Sequence, residues 1–162
     1  MKNPDSAQQF LDLVSDFYRD AGWEEPVFEF DPLVPIAFEA RVEDVTFSVG
    51  YDPLSEPVCL FAYCVFGVVP LTTEATTLRR LLALNVSMAQ QHSAAYCIDD
   101  STQELACYLR TTMDIDVQTL KARLAHIAQL AHRWRRDGLA GEQQDMTSMS
   151  KAGRAPSWMD FA

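Results

Sequence analysis

An α+β fold built on an antiparallel sheet is what this 162-residue chain predicts, and three observations predict it. Strand-like segments follow one another between helix-like ones instead of alternating with them, so strands pair with neighbouring strands. The length suits one domain with a real core and no second domain. Twelve residues, VCLFAYCVFGVV at 58–69, carry no charge and are apolar at both positions of a two-residue period. That is the pattern of a strand that needs cover on two sides.

The elements follow in order. Asp5 or Ser6 is the expected cap of a first helix, in which Phe10, Leu13, Val14, Phe17 and Ala21 recur at steps of three and four. Gly22 ends it. VFEFD at 27–31 alternates as a short strand closed off by Pro32 and Pro35. Ile36, Phe38, Ala40 and Val42, then Val45, Phe47, Val49 and Tyr51, alternate about a tight turn at Glu43-Asp44 and predict a hairpin with one polar face. The uncharged strand comes next, with Val58, Leu60, Ala62, Cys64 and Phe66 on one face and Cys59, Phe61, Tyr63 and Val65 on the other.

Residues 73–91 predict a second helix capped by Thr73. Its stripe of Leu78, Leu81, Leu82, Asn85, Val86 and Ala89 is widened by Leu84 and Met88, beyond what a helix buried on one side shows. AAYCID at 94–99 and ELACYLRTT at 104–112 predict a second hairpin. A third helix carries Val117, Leu120, Leu124, Ile127, Ala131 and Trp134 and stops at Gly138. Beyond it the composition turns to Gly, Ser, Gln and Met without period, so residues 1–137 are the expected domain and 138–162 a mobile tail. The tail's Trp158 and Phe161 are either a docking motif or an unselected end.

Charge narrows the partners. Residues 1–57 hold 3 basic and 13 acidic side chains, whereas the remainder is balanced, so the net charge of −10 lies in the first third. Such a surface repels phosphate backbones and anionic lipid, which argues against nucleic acid and membrane. A basic polypeptide segment would be attracted; the acids also serve plain solubility. No stretch reaches the roughly 20 apolar residues of a spanning helix, and MKNPDSAQQF lacks the apolar core of a signal peptide. A cytoplasmic protein without membrane insertion is expected.

No residues announce chemistry. GxGxxG and GxxxxGK[ST] do not occur, and His92, His126 and His132 lack metal-ligand spacing. Cys59, Cys64, Cys97 and Cys107 have no CxxC spacing and fall in predicted strands, where reduced thiols act as small hydrophobes. Cys97 and Cys107 flank the second hairpin's turn and are candidate cross-strand neighbours. A thiol nucleophile would pair Cys97 with His92, lacking an orienting third group. The expectation is a protein without catalytic residues, metal or cofactor. What is in excess is apolar surface, consumed either by helices on both faces of the sheet or by a partner.

LRRLLALN at 78–85, the hairpin AAYCIDDSTQELACYL at 94–109 and the helix start DIDVQTL at 114–120 together resemble the Tir-chaperone (CesT-like) family of class I type III secretion chaperones. The resemblance covers residues 4–137, with Leu81, Leu82 and Asn85 its most specific piece; the Gly that often precedes the next strand is replaced by Ser93-Ala94. It implies a curved antiparallel sheet in helix-strands-helix-strands-helix order. It further implies a bacterial cytoplasmic homodimer that keeps an extended N-terminal segment of a secreted effector soluble, with the secretion apparatus as a further partner. The implied dimer seam is Leu78, Leu81, Leu82, Asn85, Val86 and Ala89. The implied client contacts are Phe10, Val14, Phe17, Phe28, Phe30, Phe61 and Tyr63. An interaction adaptor outside secretion has the same physical features.

Overall fold

The computed structural model describes residues 4–27, 35–53 and 58–138. Helix α1 (Pro4–Ala21) leads to strands β1 (Ile36–Val42), β2 (Val45–Asp52) and β3 (Cys59–Val68). A 3₁₀ turn at Leu71–Thr73 then feeds α2 (Glu74–His92), followed by β4 (Ala94–Ile98), β5 (Glu104–Thr111) and α3 (Val117–Asp137). The α+β order predicted from the sequence holds. The strand expected at 27–31 falls largely outside the described residues, as does the tail beyond Gly138, and Val27 itself is in no strand.

The five strands form one antiparallel sheet in the order β1-β2-β3-β5-β4. Its first hairpin turns on Glu43 and Asp44, both with positive φ (47° and 60°), the two-residue turn whose twist matches that of the strands. An ion pair of Arg41 with Asp44 at 2.9 Å closes it. In β3 the register slips between Val65 and Gly67, and the φ of 130° at Gly67 is one that only glycine adopts freely. Arg135 of α3 meets this bulge. Its Nε and Nη2 donate to the carbonyls of Phe66 (3.1 Å) and Val65 (2.8 Å).

One face of the sheet holds the core. Ile36, Phe38, Ala40, Val45, Phe47, Val49, Leu60, Ala62, Cys64, Phe66, Cys107 and Leu109 are all buried there. Helix α3 crosses β1, β2 and β3 on this side, burying Leu120, Leu124, Ile127 and Ala131. It begins where Asp116 caps the Thr119 N–H at 2.8 Å. Helix α1 lies over the first hairpin, with Phe10 against Tyr51 and Phe17 against Phe38, ring centroids 5.7 Å apart in both pairs. It starts at Pro4, so Asp5 and Ser6 lie inside its first turn rather than capping it. Gly22 ends it as expected: its N–H bonds Arg19 O and the Trp23 N–H bonds Tyr18 O, while Trp23 packs edge-on to Tyr18.

Helix α2 stands beside β4. Thr73 occupies its N-cap position without a side-chain cap bond, and Ser93 ends it in the left-handed conformation (φ 52°), taking the role a glycine usually fills. The second hairpin corrects one expectation. Asp99 N–H bonds Glu104 O, so Cys97 falls opposite Ala106, while Cys107 lies between Tyr96 and Cys64. Cys97 and Cys107 therefore sit on opposite faces, because a one-residue offset reverses every side chain. All four cysteines are free thiols.

Gly50 marks a close approach on the helix-free face. A Cβ there would lie 2.3 Å from the ring of Phe61. Gly50→Ala should destabilise the protein by about 1–3 kcal/mol in urea unfolding, and adding Phe61→Leu should recover part of the loss. An unchanged midpoint in the single variant would show that Phe61 is free to move.

Candidate functional site

The described helices leave two apolar surfaces, one on the sheet and one on α2. On the sheet, the residues that alternate with the core point away from the helices: Phe61, Tyr63 and Val65 of β3, Ala106 and Tyr108 of β5, and Gly50 of β2. Tyr63 and Tyr108 are directly paired. Phe61 stacks on Tyr108 with centroids 6.1 Å apart. Phe61 and Tyr63 remain half-buried and Tyr108 is 38 % exposed. Tyr108 was missed in the sequence although its signal was there: with Leu105, Cys107 and Leu109 turned inward, it must face out.

The Tyr63 hydroxyl donates to the Asp99 carboxylate, anchoring the β4–β5 turn to this face. Asp99 also accepts from the backbone N–H groups of Ser101 (2.8 Å) and Thr102 (3.0 Å) and from the Ser101 hydroxyl. The Ser101 hydroxyl, then Tyr63 and the turn's N–H groups, hold the Asp99 carboxyl well below the usual carboxylate range. Burial, then the bond to Asp99, pushes the Tyr63 hydroxyl up.

Helix α2 carries two adjacent stripes. Thr77, Leu81 and Met88 are buried against the core. Beside them Leu82 and Val86 are 69 % and 63 % exposed, and Leu71, just before the helix, is 84 % exposed. Asn85 lies between the two stripes: its Oδ1 accepts from the Tyr96 N–H at 2.7 Å and its Nδ2 donates to the Tyr96 carbonyl at 3.0 Å. An apolar pocket of about 200 Å³ opens between α2 and β4, lined by Leu78, Leu81, Leu82, Asn85, Tyr96, Cys97, Ile98 and Leu105.

The residues named from the sequence thus separate. Leu78, Leu82, Val86 and Ala89 lie at or beside the outward stripe, Leu81 is core, and Asn85 binds the edge of β4. Phe61 and Tyr63 lie together on the helix-free face. Phe10, Val14 and Phe17 are buried at 1 % exposure or less, so they attach α1 to the sheet and offer no contact surface, a correction to their reading as client contacts. Phe28 and Phe30 lie outside the described residues. Leu71 had no periodic signal, since it falls in the link after Pro70.

Burial pushes the Cys64 thiol up to about 12 and also raises Cys97 and Cys107, the opposite of what a nucleophile needs. His92 stacks on His126 with centroids 4.1 Å apart. Among the described residues no group of His, Cys, Asp and Glu is arranged to hold a metal, and no helix is long and apolar enough to cross a membrane.

The sequence profile of the Tir chaperone protein (CesT) family matches residues 58–135, from the start of β3 through most of α3. The fold is similar to that of a chain in the crystal structure of the ExsC-ExsE complex, at 18 % identity and a TM-score of 0.59, covering 80 % of this chain and 93 % of that one. It is similar also to a chain of the HopA1-SchA chaperone-effector complex, at 17 % identity and a TM-score of 0.59, covering 83 % and 98 %. No curated protein matches the sequence.

Asp99 yields a pH prediction. A carboxyl lowered in the folded state contributes stability that is fully present above the ordinary value of about 4 and is lost as pH falls through the lowered one. Asp99→Asn should lower the Tm at pH 7 and flatten its fall below pH 4. Parallel Tm curves for variant and wild type would contradict the assignment.

Proposed function

We propose, for a chain whose residues 58–135 match the Tir chaperone protein (CesT) family, the work of a type III secretion chaperone: binding a secreted effector and keeping it soluble and competent for export. The finer reading is a homodimer in the bacterial cytoplasm that holds an extended segment near the effector's N-terminus and presents it to the secretion apparatus. A binding role needs no catalytic group. The observation that carries the reading is the pair of apolar surfaces without adjacent chemistry: the helix-free sheet face with Phe61, Tyr63 and Tyr108, and the outward stripe with Leu82 and Val86.

The two surfaces suit different partners. A straight helical stripe is self-complementary across a two-fold axis, which favours a second copy. Leu78, Leu82, Val86 and Ala89 then form the seam, with Leu81 supporting it from the core. A sheet face with an accessible edge favours an extended chain. The two-residue turn makes Val42 and Val45 a hydrogen-bonded pair, so the backbone groups of Ala37, Glu39 and Arg41 point out of the sheet at β1. Exposed acids near this end, among them Asp16, Asp20, Glu39 and Asp44, attract a basic segment.

Leu82→Glu tests the seam. At 69 % exposure the change should cost the fold within about 0.5 kcal/mol yet convert a dimer to monomer in sedimentation analysis. A dimer that survives it, or a wild type that is already monomeric, removes the seam. The client reading is tested by affinity capture of the tagged protein from its native cells, followed by limited proteolysis. One large protein protected only over a segment near its N-terminus is the expected result; many folded partners with no protected segment would favour an adaptor instead.

A further inference from the structure

We infer that Asn85 closes the β4 edge of the sheet to any added strand, so that strand addition is confined to the opposite edge at β1. Among the described residues strand β4 is paired on one side, by β5. The bonds from Arg110 N–H to Ser93 O and from Asp99 N–H to Glu104 O place residues 93 and 99 in hydrogen-bonded pairs. By alternation the backbone groups of Ala94, Tyr96 and Ile98 then face out of the sheet. Tyr96 is the middle of the three. Its N–H and C=O are both taken by the one Asn85 amide, at 2.7 and 3.0 Å, the same pair of bonds that a neighbouring strand would supply.

The residue type fits this role and little else. Asn is a poor residue for the interior of a helix, yet it sits in the run LRRLLALNVSMAQ, among good helix formers. Only a carboxamide offers a donor and an acceptor side by side: Asp lacks the donor and Leu lacks both. Leu81 and Met88 hold α2 against the core on the same side, so the helix covers the edge and the amide clips it there. Sheet edges left without such cover recruit strands from other chains. At β1 the corresponding contact among the described residues is slighter, a bond from the Tyr18 hydroxyl to Glu39 O at 3.3 Å.

The β1 half of the inference rests on the client reading above; the closure of β4 does not. Asn85→Leu keeps the size, raises the helix propensity and removes both bonds. The Tyr96 amide should then exchange with deuterium at least about tenfold faster, and the variant should form concentration-dependent species larger than the wild-type state in sedimentation velocity. Adding Ile98→Pro, which removes an outward N–H of β4, should abolish that assembly, and adding Glu39→Pro should leave it intact. Unchanged Tyr96 exchange, or assembly abolished by Glu39→Pro alone, overturns the closure. Should Asn85→Leu not fold, Asn85→Asp keeps the acceptor for the Tyr96 N–H and loses the donor to its carbonyl. Assembly beyond the wild-type state supports the closure there, and its absence overturns it. None of these readouts needs a client, so they stand whether or not the chaperone reading does.

Discussion

Everything described in this fold depends on a strand that is apolar on both faces being covered by the described helices on only one. Strand β3 lies at the centre of the sheet, and its inward residues Leu60, Ala62, Cys64 and Phe66 are sealed by α3 and its neighbours. Its other face is left to cover itself. Phe61 lies down into the space that Gly50 leaves and stacks on Tyr108, while Tyr63 reaches to Asp99. That arrangement shields much of the face without a second layer of helices among the described residues. The remainder, around Tyr108, is what a partner can add to.

The strand order explains why α2 differs from the other helices. After β3 the chain passes through α2 to the far edge and returns, so that β5 lies beside β3 and β4 takes the border. A helix in that position runs along an edge rather than over a face. It has one stripe for the core and one left over, and between them Asn85 serves the backbone of β4. The width that looked anomalous in the sequence is therefore three adjacent demands on one helix.

The first hairpin was readable almost to the residue, because alternation on both strands leaves two residues, Glu43 and Asp44, for the turn and so specifies one register. The third helix was equally plain from its steps of three and four. Periodicity tells that a face is apolar and says nothing of what lies on it. That is why Phe10, Val14 and Phe17 could be taken for client contacts, when Phe10 packs on Phe38 and Tyr51, Phe17 packs on Phe38, and Val14 is buried in the same core. It is also why Leu81 and Leu82, adjacent in sequence and equally apolar, could not be assigned to core and surface. The Cys97–Cys107 relation turned on a single residue of turn length, which composition does not fix. Asn85 stood out by its type, but its partner, a backbone pair eleven residues away, is set by topology.

The geometry also constrains how an extended segment could use this surface. Adjacent strands lie about 4.8 Å apart, so a strand added outside β1 would sit three spacings, about 14 Å, from the aromatic centre on β3. Between them the face is floored by Thr46, Ser48 and Gly50 of β2, small residues that offer little apolar area. Backbone pairing alone gives roughly 1 kcal/mol net per bond, against an ordering cost of about 1–2 kcal/mol for each residue fixed. An edge strand would therefore not hold by its hydrogen bonds; apolar contacts elsewhere have to supply the difference. A segment that used both β1 and the Phe61–Tyr108 stack would have to turn and cross the sheet, and a short linear motif lying along one strand could not reach the two.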